Sequence, residues 1–294
     1  MVRWCCLGLS WDASVEPGAD LHVCHAVWPL WYGNASDARI SDGRILWSNG
    51  TRACLQHAIV MPSYNEAENI SEVVEEWYPV VERVSRGEGR LVIVNDGSRD
   101  DTLARLHKLQ EGRPQLVVID QPNSGHGATI LNAYHYALEH GADYIFQTDS
   151  DGQTRPNEFD AFWQMRKDYP VVIGYRNHRE DGFSRIMVTK VLKLVLWLVF
   201  GLVVTDANTP FRLMDHRVLA EYLPDVPERF NLSNVMLTVL FLYNKERVKF
   251  VPITFRQRQG GVNSINLPRI FRIGLRAVRD FYTIRRGMHR HEHP

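Results

Sequence analysis

The chain has 294 residues, 45% apolar and 23% charged, which excludes a disordered polyelectrolyte and leaves room for one large α/β core. Lys plus Arg and Asp plus Glu number 34 each, so no net field favours nucleic acid or another polyanion. Cys5, Cys6, Cys24 and Cys54 show no metal-ligand spacing; free thiols and, with no long apolar run in MVRWCCLGLSWDASVEP, a cytoplasmic protein are expected.

Residues 1–55 follow neither the helical nor the strand period and read as an N-terminal extension of uncertain structure. From Ala58 strands and helices alternate. HAIVMP is a short buried strand, and SYNEAENISEVVEEW a helix with an acidic start. LVIVND, LVVID and DYIFQT are three further strands. The helices DTLARLHKL, NSGHGATILNAYHYALEHG and PNEFDAFWQMRKD follow them in turn. This order predicts an α/β, Rossmann-like domain over residues 56–264, with a mostly parallel sheet flanked by helices. Val171–Gly174 is another strand, residues 183–204 a strongly apolar helix, and VKFVPITF a late strand. LVLWLVFGLVV, at eleven residues, falls short of the ~20 a membrane span requires.

Residues 265–294 form the C-terminal segment, helical to Arg286. Arg269, Arg272, Arg276 and Arg279 share one face, while Phe271, Leu275, Val278 and Tyr282 lie on another. A basic amphipathic helix suits an anionic membrane surface, and equally a packing role with a solvated arginine edge.

In a parallel sheet, ligands bind outside the carboxyl ends of the strands. Four polar clusters fall at such ends: Ser63–Glu66, Asn95–Ser98, Asn123–Gly127 and Asp149–Asp151. Asp149 and Asp151 alternate by two, so on an extended backbone they point the same way. Crowded carboxylates repel, and a divalent cation resolves this; Mg²⁺ and Mn²⁺ take one or two carboxylates plus substrate phosphates. Gln153 could add a carbonyl oxygen. A solvated turn has the same composition. Asp96, before Gly97, can accept hydrogen bonds from ribose hydroxyls or a base. NSGHGAT has the look of an anion-binding turn at a helix start, but without P-loop spacing, and His126 reads as a surface histidine.

PSYNEAENI, VNDGSRDDT, NSGHGAT, TDSDGQ, DANTPFRL and VPITFRQRQGG occur in that order. Together they resemble the family 2 glycosyltransferases of the GT-A fold, nearest the dolichol- or polyprenyl-phosphate hexose transferases. The resemblance spans Ala58 to Phe281, about three quarters of the chain. It implies that Pro62, Tyr64, Glu66, Val94 and Asp96 hold the nucleotide of a sugar donor. Asp149, Ser150 and Arg258 join that donor-binding set. It further implies that Asp149, Asp151 and Gln153 hold Mg²⁺ or Mn²⁺ against the diphosphate. Arg176 would face phosphate, and Asp206 and Arg212, in DANTPFR, would lie near the reacting sugar and the acceptor. Asn95 stands where the family more often has Asp, and Asn263-Ser264 where it often has Lys.

The expected activity is metal-dependent, inverting transfer of a hexose from a nucleotide-diphospho-sugar. Asp151, Arg176, Asp206 and Arg212 are the candidate catalytic residues. The expected acceptor is a polyprenyl or dolichyl phosphate at the inner face of a membrane, with peripheral membrane contact and no nucleic-acid partner. A lipid phosphate would be oriented by Arg176, Arg179 and Arg185. A saccharide hydroxyl is the alternative acceptor and would need Asp206 as base. A non-catalytic binding or scaffold protein is the rival of another class.

Overall fold

The computed structural model describes residues 38–41, 44–47, 56–85, 87–176, 183–228, 230–256 and 278–286. Side chains are described from residue 56 onward and, in the helix that begins at Phe183, from residue 189. The four cysteines, Arg179, Arg258 and Asn263-Ser264 lie outside the described residues, as does the side chain of Arg185. Two compact units divide at Arg52/Ala53. In the first, β1 (Ala38–Ser41) pairs antiparallel with β2 (Arg44–Trp47), a hairpin where the sequence shows no clear period.

The second unit is built on a seven-stranded sheet in the order β5-β4-β3-β6-β8-β7-β9. Its strands are β3 (His57–Ser63), β4 (Gly89–Asp96), β5 (Leu116–Gln121), β6 (Tyr144–Gln147), β7 (Val171–Arg176), β8 (Arg212–Asp215) and β9 (Val248–Ile253). The pairs β3–β4, β4–β5, β3–β6 and β7–β9 are parallel, as the alternation of elements predicts. β8 runs antiparallel to both its neighbours. Its first residue, Arg212, therefore pairs with the last of β6, Gln147. The chain entering β8 thus arrives at the edge where β6 ends.

Period-two alternation distributes the strands between two cores. Ala58, Val60, Val92 and Val94 face one layer, which contains α3 (His126–Glu139), α5 (Phe183–Phe200), α6 (His216–Tyr222) and α7 (Ser233–Tyr243). Ile59, Met61, Leu91 and Ile93 face the other, with α1 (Ile70–Ser85), α2 (Thr102–Gln110) and α4 (Phe159–Met165). α1 buries Ile70, Val73, Val74, Trp77 and Val81 at helical spacing. α7 is buried on every side from Ser233 to Phe241, so no apolar stripe marks it in the sequence.

At the C-terminus, residues 278–286 are helical. Arg269, Phe271, Arg272, Leu275 and Arg276 lie outside the described residues. Phe281 is buried against Phe200 and Phe230, whereas Val278 and Tyr282 are exposed. The position of the neighbouring helices, not the spacing of apolar residues, selects which side packs.

His57 opens β3 with both ring nitrogens buried and unpartnered, tilted against Trp163 at 5.2 Å. Burial, helped by the Arg166 charge, pushes its pKa from 6.5 down to about 4. The folded protein keeps this imidazole neutral while the unfolded chain protonates it below 6.5. Its contribution is therefore complete above that pH and lost progressively as pH falls towards 4, by up to about 3 kcal/mol. Urea midpoints are expected to fall across that interval, and His57→Leu to flatten the fall. An identical slope in the variant would contradict the account.

Candidate active site

The carboxyl ends of β3, β4, β5 and β6 surround a cavity of about 420 Å³. All four polar clusters reach it: Pro62, Ser63, Tyr64 and Glu66 from β3, Asp96 from β4, Asn123, Gly125, His126 and Thr129 around the start of α3, and Asp149, Ser150 and Asp151 from β6. Ser63, Asn123, Gly125, His126 and Thr129 line it as well, residues that the sequence placed in the polar clusters and NSGHGAT without a site role. A strand end running into a helix start is the signal that covers His126 and Thr129.

The walls are stitched to one another. Asn65, at φ 54°, donates its N–H to Ser98 Oγ at 3.0 Å and accepts from the Arg99 N–H at 2.8 Å. Asparagine tolerates this left-handed conformation better than bulkier residues. Asn95 donates to Asp120 Oδ1 at 2.7 Å across the β4–β5 pair, which explains why an amide stands there: an aspartate would oppose a second carboxylate.

Asp96 is nearly saturated. Its Oδ1 accepts from Gln121 Nε2 (2.8 Å), Ser124 N (2.8 Å) and Ser124 Oγ (3.0 Å), and its Oδ2 from Gly125 N (2.9 Å). Burial pushes its pKa up, but the Ser124, Gln121 and Gly125 bonds outweigh this and hold it below the usual carboxylate range. Asp96 therefore stays ionised and fixes the turn before α3. Gly97 (φ 63°) permits the close approach, since a Cβ there would lie 2.8 Å from the Asn123 nitrogen. Gly127 is equally constrained, with the Phe230 carbonyl oxygen 2.1 Å from where a Cβ would be.

On the opposite wall Ser150 Oγ donates to the Pro62 carbonyl at 2.7 Å, fixing the loop between Asp149 and Asp151. Asp149 Oδ1 is buried with no hydrogen-bond partner. Burial raises the Asp149 pKa and Asp151 adds to the rise, against the pull of His126, Arg176 and Arg212. An orphaned carboxylate oxygen beside a second carboxylate fits a divalent cation, which would satisfy both. Among the described residues no three His, Cys, Asp or Glu side chains form a ready cage. Such a cation would draw its remaining ligands from substrate and water.

Gln153 turns the other way. Its Nε2 donates to the Arg256 carbonyl at 3.1 Å, and the Arg256 N–H returns a bond to the Gln153 carbonyl at 2.8 Å. Arg256 is also paired with Glu76 at 2.8 Å. Of the Gln153 side chain, only Oε1 remains for a cation. Arg176, at the end of β7, lies over the Phe255 ring at 4.3 Å rather than in the cavity wall. Val94 is wholly in the core.

Asp206 is 7% exposed, in the segment between α5 and β8, and accepts from the Asn208 N–H at 3.3 Å. Arg212 is 0% exposed. It donates to the carbonyls of Thr209 (2.6 Å), Asn234 (3.0 Å) and Ala207 (3.3 Å) and to the Thr238 hydroxyl (3.4 Å). Arg212 thus ties the loop that carries Asp206 to α7.

The model for Glycosyl transferase family 2 matches residues 58–223. The chain is 25% identical over 217 residues to a polyprenol monophosphomannose synthase of Mycolicibacterium smegmatis, covering 71% of this chain and 80% of that one. It is 29% identical over 160 residues to a dolichyl-phosphate beta-glucosyltransferase of Trichomonas vaginalis, covering 51% and 46%. It is 28% identical over 158 residues to an undecaprenyl-phosphate 4-deoxy-4-formamido-L-arabinose transferase of Pseudomonas fluorescens, covering 53% and 45%. The chain thus spans about half the length of the last two. In fold it is similar to glucosyl-3-phosphoglycerate synthase from Mycobacterium tuberculosis, solved with Mn²⁺, uridine diphosphate and phosphoglyceric acid. The TM-score is 0.59 at 16% identity, covering 80% of this chain and 79% of that one. With the family model matching more than half of its length and the sheet arranged as in GT-A enzymes, this chain belongs to glycosyl transferase family 2.

Proposed function

We propose that the protein transfers a hexose, with inversion, from a nucleotide-diphospho-sugar to the phosphate of a polyprenyl lipid at the inner face of a membrane. The observation that carries this reading is the pairing, in one cavity, of a sealed and unpartnered Asp149 oxygen with the anchored turn at the start of α3. Asp149 and Asp151, with Gln153 Oε1, would hold Mg²⁺ or Mn²⁺. That cation, when bound, supplies charge neutralisation for the departing diphosphate. Tyr64, Glu66 and the remaining acceptor capacity of Asp96 face the nucleoside, and the N–H groups of the first turn of α3 favour phosphate.

The acceptor oxygen attacks the anomeric carbon from the face opposite the diphosphate, whose C–O bond breaks. A lipid phosphate, with a second pKa near 6 if it follows the phosphomonoester value, is largely ionised at neutral pH and needs no base. Asp206 then serves to position the acceptor. Asp206→Asn is accordingly expected to lower kcat on a lipid phosphate less than about tenfold; loss of about 100-fold or more indicates a hydroxyl acceptor with Asp206 as its base. The direct test is a panel of nucleotide sugars with Mg²⁺ or Mn²⁺, with and without polyprenyl phosphate, scoring product and released nucleotide. Transfer to saccharides but never to the lipid phosphate would sink the acceptor assignment.

A further inference from the structure

α5 has two unlike faces. At about 100° per residue, Lys193, Trp197, Lys190, Leu194, Leu198 and Val191 fall on one arc of about 160°, and all are exposed. Val195, Leu196, Val199 and Phe200 fill the opposite arc and are buried in the core. Leu194, Trp197 and Leu198 are 53%, 54% and 64% exposed, and Val203, just past the helix, is 89% exposed. An outward row of large apolar side chains on consecutive turns is costly for a monomer in water and marks a contact surface. Among the described residues no helix is long and apolar enough to cross a membrane.

We infer that this face of α5 lies in the headgroup region of an anionic lipid bilayer, an inference that rests on the lipid-phosphate acceptor proposed above. Charge selects the occupant. The two lysines lie on either side of Trp197 in one half of the arc, where they complement anionic headgroups while the leucines and Trp197 enter the acyl boundary. A tryptophan beside lysines is the arrangement favoured at such an interface. The 278–286 helix, packed on Phe200 through Phe281, adds exposed Tyr282 with the Arg286 guanidinium 4.9 Å from its ring centre. The chain leaves α5 at Gly201 and reaches Asp206 five residues later. A docked α5 therefore places the proposed acceptor wall next to the lipid that supplies the acceptor.

Flotation of the full chain with phosphatidylcholine vesicles, with and without phosphatidylglycerol, tests this. The native chain is expected to float with the anionic vesicles. Leu194→Glu/Leu198→Glu is expected to reduce flotation by on the order of tenfold, and Lys190→Glu/Lys193→Glu to remove the preference for anionic lipid. Absence of flotation by the native chain, or equal flotation by the leucine variant with its melting temperature intact, overturns the inference. So does lipid-free self-association abolished by the same leucine variant, which would assign the face to a second copy. A short-chain, water-soluble polyprenyl phosphate separates this from the proposed function. The leucine variant is expected to keep its rate on that acceptor and lose it on vesicle-borne acceptor. Flotation without transfer to either acceptor would remove the function while leaving the docking surface.

Discussion

Asp151→Ala is expected to lower hexosyl turnover by about 10³-fold, the scale on which loss of one preorganised group that stabilises transition-state charge is felt. Asp151 faces the cavity beside the orphaned oxygen of Asp149, and its Oδ1 accepts the Gln153 N–H at 3.1 Å, a local bond whose loss leaves the sheet intact. The melting temperature of the variant is accordingly expected to stay within a few degrees of the native value. Mn²⁺-dependent binding of a nucleoside diphosphate, followed by calorimetry, reads the same group without requiring turnover. Turnover within tenfold of the native rate, or nucleotide binding indifferent to Mn²⁺ in the native chain, would refute the metal role. Asp149→Asn keeps the shape and removes the charge, and is expected to fail in the same way.

Arg212→Ala is expected to unfold more readily by about 4 kcal/mol, at the upper end of single substitutions. The guanidinium is fully buried, and its removal takes a donor from each of the carbonyls of Ala207, Thr209 and Asn234 and leaves a void between β8 and α7. For a unit of this size the melting temperature falls by about 10 °C. Arg212→Lys does not rescue it, because one ammonium cannot span that set of acceptors. If Arg212 instead acted directly on a substrate, the variant would keep its melting temperature and lose only its rate.

The parallel half of the sheet was legible because β3 to β6 are short apolar runs, each closed by polar residues. That closure is also what announced the cavity. β8 was harder to read, since four residues between a loop and a helix carry no sign of their direction, which pairing alone decides. α7 left no stripe because every side of it is buried. Within the site, Asp149 and Asp151 were marked by their alternation. The clamp on Asp96 and the side taken by Gln153 depend on partners 25 to 103 residues away, a distance no local pattern spans. His126, read as a surface histidine, is exposed and lies on the cavity wall.

The Asn95–Asp120 bond has a consequence for how this sequence can change. The two residues face each other in register on neighbouring strands, and their bond needs one amide and one carboxylate. Asn95→Asp alone sets two negative charges side by side, whereas Asn95→Asp with Asp120→Asn restores the bond in reverse. The pair is therefore an epistatic lock: each member fixes which replacements its partner tolerates, and relatives carrying aspartate at the first position are expected to carry a neutral donor at the second.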